Sequence, residues 1–163
     1  MTKQLKTYIK EYVPYFTKIL ALRYNGIKGK AWRVLTDYCR QRDFIKYGVC
    51  VSCTKSVKDW KDCDGGHYIS MGGHGALIGF SESNVHLQCS SCNLFASQHT
   101  GVIYQDTLVT RYGGAILRQL DIFKNSSVKA DDWYFLQRIE RIHGLYKELK
   151  EEYPDFEYPE YVV

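Results

Sequence analysis

Cys50-Val-Ser-Cys53 and Asn84-Val-His-Leu-Gln-Cys89-Ser-Ser-Cys92-Asn93 are the two stretches that decide the fold of this 163-residue chain. Each contains a Cys-x-x-Cys pair whose thiolates can bind one tetrahedral zinc ion, and two such pairs complete a site of four sulfur ligands. No ligand position remains for water, so we expect this zinc to be structural. The 35 residues between Cys53 and Cys89 leave room for a hairpin and a loop. The alternative is four core cysteines that hold no metal.

The composition is that of a soluble protein with one domain and a real core. No apolar run approaches the length of a membrane span, and the N-terminus lacks the hydrophobic stretch of a signal peptide. We therefore expect a cytoplasmic protein that does not bind membranes. Cysteines in such a reducing compartment are more often metal ligands or buried thiols than disulfides, and we predict that Cys39 and Cys63 are buried thiols.

Positive charge is concentrated in the N-terminal third of the sequence. Residues 1–46 contain 11 Lys and Arg against 3 Asp and Glu, whereas residues 47–114 contain 4 against 5 and residues 115–163 contain 7 against 10. Such an asymmetry is typical of a segment that lies along a phosphate backbone. A solvated, lysine-rich helix face is the alternative explanation.

The periodicity predicts an α+β fold in three segments: a basic helical segment 1–46, a zinc-binding core 47–101 and a helical segment 102–163 that completes one compact domain with the core. Apolar residues at helical spacing predict most of the helices. The last helix should start at Asp131-Asp132 and bury the stripe that begins at Trp133, with a dimer interface as the less favoured alternative. The predicted helices cover 3–24, 30–46, a start at the second Cys-x-x-Cys pair, 103–112, 115–123 and 131–152, and the predicted strands cover 66–70 and 84–88.

Four polar residues lie near the cysteine pairs and suit phosphodiester hydrolysis, which needs a base, a divalent cation and a group that orients the base. His67 is the candidate base because imidazole titrates near neutral pH. Asn84 is suited to fixing that histidine, Asn93 offers a neutral oxygen to Mg²⁺, and Asp64 is the nearby carboxylate that can join Asn93. Taken singly, each is more often an ordinary loop or capping residue.

Other residues are candidates for contacts with DNA. The helix predicted over 30–46 shows Arg33, Arg40, Arg42 and Lys46 on its polar face, and His74 lies in a glycine-rich loop. His86 is suited to contact substrate or metal, or else is a packed structural histidine. His99 follows the second cysteine pair and is a candidate for the scissile phosphate, with a plain helix-end role as the alternative. The full set of DNA-contact candidates is Lys30, Arg33, Arg40, Arg42, His74 and His86.

Taken together, the motifs resemble the HNH or ββα-metal endonucleases, and more narrowly the phage NinG/Rap family of recombination endonucleases, related in motif to phage endonuclease VII. The resemblance covers roughly residues 30–114. Arg40-x-Arg42-Asp43 is similar to the segment that precedes the first Cys-x-x-Cys pair in that family. We call the two Cys-x-x-Cys pairs of this chain, 50–53 and 89–92, the first and the second knuckle. The residues that carry the centre of the resemblance are Cys50, Cys53, Trp60, Asp64-Gly65-Gly66-His67-Tyr68, Phe80, Asn84-Val85-His86, Gln88-Cys89, Cys92-Asn93, Tyr104, Leu108, Arg111 and Gly113.

This resemblance implies a zinc-anchored ββα-metal core, treble-clef-like and flanked by helices, and Mg²⁺- or Mn²⁺-dependent cleavage of branched DNA such as Holliday junctions and D-loops. It implies that the four paired cysteines bind zinc, that His67 activates water, that Asn84 orients His67 and that Asn93 binds the catalytic metal. Many HNH sites have Asp or His immediately before the base, where this chain has Gly66. Asp64, His99 or water must then supply the second ligand.

Cutting a four-way junction symmetrically needs two active sites, so we expect a homodimer. Two other functions fit the sequence. One is an HNH nickase, or a homing, packaging or restriction endonuclease, that acts on duplex DNA. The other is a zinc-stabilised DNA-binding module without catalysis, an alternative that the missing acid before His67 keeps open.

Overall fold

The structure is a computed structural model that describes residues 26–158, except Gly73 and residues 96–97; the side chains of residues 98–100 are also outside the description. The chain divides into two compact units, one formed by residues 1–32 and 130–163 and the other by residues 33–129. In the described part, no helix is both long and apolar enough to span a bilayer. The elements, in chain order, are α1 (Gly26–Tyr47), a 3₁₀ helix (Trp60–Asp62), β1 (Cys63–His67), α2 (Ala76–Gly79), β2 (Val85–Cys89), α3 (Ser90–Leu94), α4 (Gln98–Tyr112), α5 (Ala115–Asn125) and α6 (Asp132–Glu152).

Helix α1 starts at Gly26, four residues before the predicted start at residue 30. Its end at Tyr47 agrees with the prediction: Gly48 has a φ of +65° and its amide donates to the carbonyl oxygens of Asp43 and Phe44. Only glycine adopts this left-handed conformation without strain, so Gly48 ends the helix just before the first cysteine pair.

Strands β1 and β2 form an antiparallel hairpin in which Cys63 pairs with Cys89 and His67 pairs with Val85. Both strands are displaced from the predicted ranges, β1 by three residues and β2 by one. Gly65 explains the displacement of β1, because a Cβ on it would lie 2.9 Å from Thr36 of α1. Because glycine has no side chain, β1 can approach α1 more closely than a strand with larger residues could. Glycine also has a low strand propensity, so the sequence pattern does not predict a strand at this position.

The core of the unit 33–129 is formed by Val51, Ile78, Tyr104, Leu108, Ile116 and Leu120. The residues come from the first knuckle and from α2, α4 and α5. The core therefore joins the loop between the two strands to the helices that follow the second cysteine pair. Cys39 and Cys63 are buried thiols, as predicted.

In the other unit, α6 begins where the acidic pair predicts, because Asp131 accepts a hydrogen bond from the Tyr134 amide at 3.1 Å. Five of the six residues of its predicted stripe are buried, from Leu136 to Leu149. Trp133 is the exception: it lies in the first turn and is 44% exposed. The prediction that Trp133 belongs to the core face is wrong. The predicted helix 3–24 lies outside the described residues.

Candidate functional site

The four paired cysteines converge on one point. Their Sγ atoms all lie within 4.8 Å of one another, and the Sγ atoms of Cys53 and Cys89 are 3.9 Å apart. In a tetrahedral site with zinc–sulfur bonds of about 2.3 Å, neighbouring sulfurs are about 3.8 Å apart. Cys50, Cys53, Cys89 and Cys92 therefore form a site able to hold one zinc ion, as the spacing predicted.

Backbone hydrogen bonds hold the ligands in place. The Thr54 amide donates to Cys50 O at 2.9 Å, and Thr54 has a φ of +57°, so the chain reverses tightly after Cys53. The Cys89 amide donates to Cys50 Sγ at 3.4 Å and so joins the two knuckles. Burial raises the pKa of Cys89, but hydrogen bonds to its sulfur, including one from Ser91, outweigh it and bring the pKa to about 6. Cys89 thus favours the thiolate that zinc requires, whereas burial raises the pKa of Cys50 and of Cys92.

His67 is the last residue of β1, and its ring is held by the loop between the strands. Its Nε2 lies 3.0 Å from the carbonyl oxygen of Gly79. A carbonyl only accepts, so Nε2 carries a proton and the lone pair of the neutral ring is on Nδ1. Burial lowers the pKa of His67, which keeps the ring neutral at physiological pH and so leaves Nδ1 unprotonated.

Asn84 is fully buried and acts on the loop rather than directly on His67. Its Nδ2 donates to the carbonyl oxygens of Ile69, at 2.9 Å, and Ile78, at 3.1 Å, while its Oδ1 accepts from the Ile69 amide at 2.8 Å. Both amide protons are thereby used. Because Ile78 directly precedes Gly79, these bonds fix the carbonyl that holds the His67 ring.

Asp64 and Asn93 lie side by side: Asn93 Nδ2 donates to Asp64 Oδ2 at 3.2 Å. Asp64 comes from β1 and is half-buried, whereas Asn93 is exposed on α3, the helix that also contains Cys92. The zinc cluster therefore positions both partners. His67 follows Asp64 by three residues, a distance of about 10 Å along a strand, and neither Asp64 nor Asn93 makes a hydrogen bond to it.

A buried ionic network lies between α1 and β2, and sequence reasoning missed it. The fully buried Asp43 accepts from Arg42 Nε at 2.7 Å and from the Leu87 amide at 3.0 Å. Burial lowers the pKa of His86 and favours its neutral ring, in which Nε2 donates to Ser83 O and Nδ1 accepts from Arg42 Nη2 at 2.9 Å. The network fixes β2 onto α1.

Several predicted DNA contacts lie in this interior. Arg42 is 9% exposed and also donates to Glu82 O at 2.8 Å, and His86 is fully buried, so we do not assign either to a DNA surface. Arg40 donates to Cys63 O at 2.8 Å and stacks on Trp60. Lys30 is buried, in the other unit. Arg33 and His74 are half-buried, and the side chain of His99 lies outside the described residues.

Positive charge is displayed elsewhere on the unit 33–129. Lys55, Lys58 and Lys61 are exposed in the segment that follows the first knuckle. A groove of about 790 Å³ lies between the end of α1, the first knuckle and α4 and is lined by Lys46, the threonines 54, 107 and 110, and the acidic Asp106. Arg111 also lines it, but its side chain is only 6% exposed and lies 3.7 Å from Asp43. Hydroxyl groups and cations of this kind are typical partners of phosphate oxygens. Lysine at every third position over 55–61 is the signal from which the sequence could have predicted this surface.

Comparison with known proteins gives one result on family. A family model described as the bacteriophage lambda NinG protein matches residues 17–152. The chain belongs to the NinG family. The NinG match includes the whole hairpin, all four paired cysteines and the Asp64–Asn93 pair. Neither the curated proteins nor the solved structures give a significant match to this chain. The family predicted from the cysteine and Asn-x-His motifs is thus confirmed at the level of NinG, and the closer kinship with endonuclease VII stays a prediction.

Proposed function

We propose that this NinG-family protein is a metal-dependent DNA endonuclease. The observation that carries the proposal is the contact between Asp64 and Asn93, which places a carboxylate and an amide oxygen at the zinc cluster, on the same hairpin as His67. A zinc held by four sulfurs has no open position, so hydrolysis requires a second cation. Mg²⁺ and Mn²⁺ prefer oxygen ligands of these two types.

The donor set fits such a cation. Asp64 offers a carboxylate, and Asn93 turns its Nδ2 toward that carboxylate, which leaves its Oδ1 to a cation. The bound Mg²⁺ would neutralise charge on the phosphate and on the leaving oxygen. The zinc-bound Cys92 immediately precedes Asn93, so the structural metal would fix the position of this ligand.

His67 is the proposed general base. Its Nδ1 takes a proton from a water whose oxygen attacks the phosphorus, while the bond from phosphorus to the 3′-oxygen breaks. The products are a 5′-phosphate and, after the leaving oxygen takes up a proton from solvent, a 3′-hydroxyl. Asn84 and the Gly79 carbonyl hold the ring in the required tautomer throughout. Asp64 and Asn93 would hold the cation, and the cation would bind the scissile phosphate.

The proposed substrate is branched DNA, such as Holliday junctions and D-loops, in phage recombination, and the support is the kinship with NinG. Exposed Lys55, Lys58 and Lys61 would supply backbone affinity that falls with salt. A homodimer would present two active sites to the two opposed strands of a junction.

The test uses zinc-loaded protein, a labelled four-way junction and a linear duplex of the same arm sequence, with and without Mg²⁺. We expect the junction to be cut only with Mg²⁺, and at least tenfold faster than the duplex. Equal rates would reject the preference for branches and support a duplex endonuclease. Asn93→Ala should abolish cleavage, whereas Asn125→Ala, an exposed asparagine of α5, should leave it unchanged.

One observation favours a second candidate, a zinc-stabilised DNA-binding module without catalysis. Gly66 stands directly before His67, and His67 makes no hydrogen bond to Asp64 or Asn93. If the protein binds the junction tightly but cuts neither DNA with Mg²⁺ or Mn²⁺, this second function is correct and the endonuclease is rejected.

A further inference from the structure

The place before the base, where Gly66 leaves no side chain, is filled from the opposite strand by Gln88. A Cβ built on Gly66 would lie 1.8 Å from Gln88 Oε1 and 2.9 Å from Gln88 Cβ. Gln88 pairs directly with Asp64 across the hairpin, and Gly66 is two residues further along β1. All three positions therefore lie on the same face of the sheet. Gly66 is required here because any side chain on it would displace Gln88.

The head group of Gln88 is held with its oxygen directed away from its one partner. Its Nε2 donates to Ser52 Oγ at 2.6 Å, which anchors the amide to the first knuckle. The residue is only 5% exposed, yet its Oε1 accepts no hydrogen bond from any described residue. With no donor among the described residues, this oxygen is available to water or to a bound cation.

From these contacts we infer that Gln88 is the additional protein ligand of the catalytic cation, in the place where other HNH sites have an acid before the base. This inference rests on the proposed function, because the same cation is held by Asp64 and Asn93. Amide oxygens are established ligands of hard divalent cations. The resulting set of one carboxylate and two amides has a charge of −1, so the cation keeps most of its positive charge for the phosphate, at the expense of affinity in the absence of DNA.

A structural role gives a different expectation. If Gln88 only braces the hairpin against Ser52, then removing either partner of that hydrogen bond has the same effect. As a ligand, Gln88 contributes through its oxygen, and Ser52 merely steadies it.

The experiment measures Mn²⁺ binding to full-length, zinc-loaded protein without DNA, from the loss of the free Mn²⁺ signal in electron paramagnetic resonance, with zinc content as the check of folding. Gln88→Met keeps the length of the side chain but removes the oxygen, and should weaken Mn²⁺ binding at least tenfold. Gln88→Glu adds a charged oxygen and should tighten it at least threefold. Ser52→Ala should weaken it less than threefold, and Gln119→Met, at an exposed position of α5, should leave it unchanged.

The outcomes separate the two claims. If Asp64→Asn weakens Mn²⁺ binding but both Gln88 variants bind like the wild type, the role of Gln88 is overturned and the proposed function stands. If Ser52→Ala and Gln88→Met weaken Mn²⁺ binding equally, Gln88 is not a ligand and only stabilises the hairpin through its hydrogen bond to Ser52. If Asp64→Asn and Asn93→Ala also leave binding unchanged, the metal site of the proposed function is itself rejected. Should Gln88→Met lose its zinc, Gln88→Glu decides alone, and no gain in affinity overturns the inference.

Discussion

Asp43→Asn tests whether the buried network between α1 and β2 stabilises the hairpin. The wild-type carboxylate accepts hydrogen bonds from Arg42 Nε and from the Leu87 amide. Its Oδ2 also lies 3.0 Å from His86 Nδ1 and 3.7 Å from Arg111 Nη1. An asparagine keeps the shape but has one acceptor oxygen, so one of the two donors loses its partner. It also removes the negative charge between Arg42 and Arg111.

The expected loss is large because every group involved is buried. Asp43 is fully buried, and the side chains of Arg42 and Arg111 are 10% and 6% exposed. Leaving a buried charge without its partner costs about 3–5 kcal/mol, more than half of the stability of many domains. We expect the free energy of unfolding of Asp43→Asn to fall by this amount.

The measurement is urea unfolding of zinc-loaded protein, followed by circular dichroism, with equal zinc content at the start. Asp121→Asn, an exposed aspartate of α5, is the matched control and should change the free energy of unfolding by less than about 0.5 kcal/mol. A loss of less than about 1 kcal/mol in Asp43→Asn would show that the network does not stabilise the hairpin, because its contribution would be no larger than that of a surface ion pair.

Four further predictions concern the metal cluster, the loop and pH. Cys89→Ser should lose zinc, measured by atomic absorption, whereas Cys63→Ser, buried opposite it on β1, should keep one zinc per chain; retention by both would remove the cluster from zinc binding. Asn84→Ala leaves two buried carbonyls without donors, which costs about 1–3 kcal/mol, and should speed hydrogen exchange at the Ile69 amide; unchanged exchange would contradict its role in the loop. Burial lowers the pKa of His67, so cleavage should fall toward acid with a midpoint below 6.5, and a midpoint above 7 would argue against this base. The ion pair with Arg42 holds the pKa of Asp43 well below its ordinary value of 3.8 despite burial, so the stability that it contributes is present above that pH and should be lost as pH falls below it; stability that stays constant from pH 5 to pH 2 would contradict this.

Local signals in the sequence predicted the elements that depend on neighbouring residues. The two Cys-x-x-Cys pairs each close a tight turn around one metal, and their convergence follows from zinc chemistry alone. Asp131 caps α6 within three residues, and Gly48 ends α1 by its own conformation. In each case the physical cause lies within one turn of chain, so the pattern was sufficient.

Contacts between residues far apart in sequence were not predictable in this way. Arg42 appeared to be a surface cation because helical periodicity places it opposite the apolar stripe, yet β2 covers that side of α1 and Asp43 compensates the charge there. His86 is fully buried beside the same contact, in agreement with the alternative of a packed structural histidine. In the sequence, Gly66 leaves the position before His67 without a metal ligand. Only the pairing of β1 with β2 shows that the side chain of Gln88 occupies the space beside Gly66.

His67→Ala tests the central claim most directly, in single-turnover cleavage of a four-way junction by zinc-loaded protein with saturating Mg²⁺. We expect a loss of at least a hundredfold in the cleavage rate, since a general base contributes about 10²–10⁴-fold. Zinc content, junction affinity and Mn²⁺ binding at Asp64 and Asn93 should stay at wild-type levels. Cleavage at the wild-type rate would contradict the account, because it would show that His67 does not activate the attacking water.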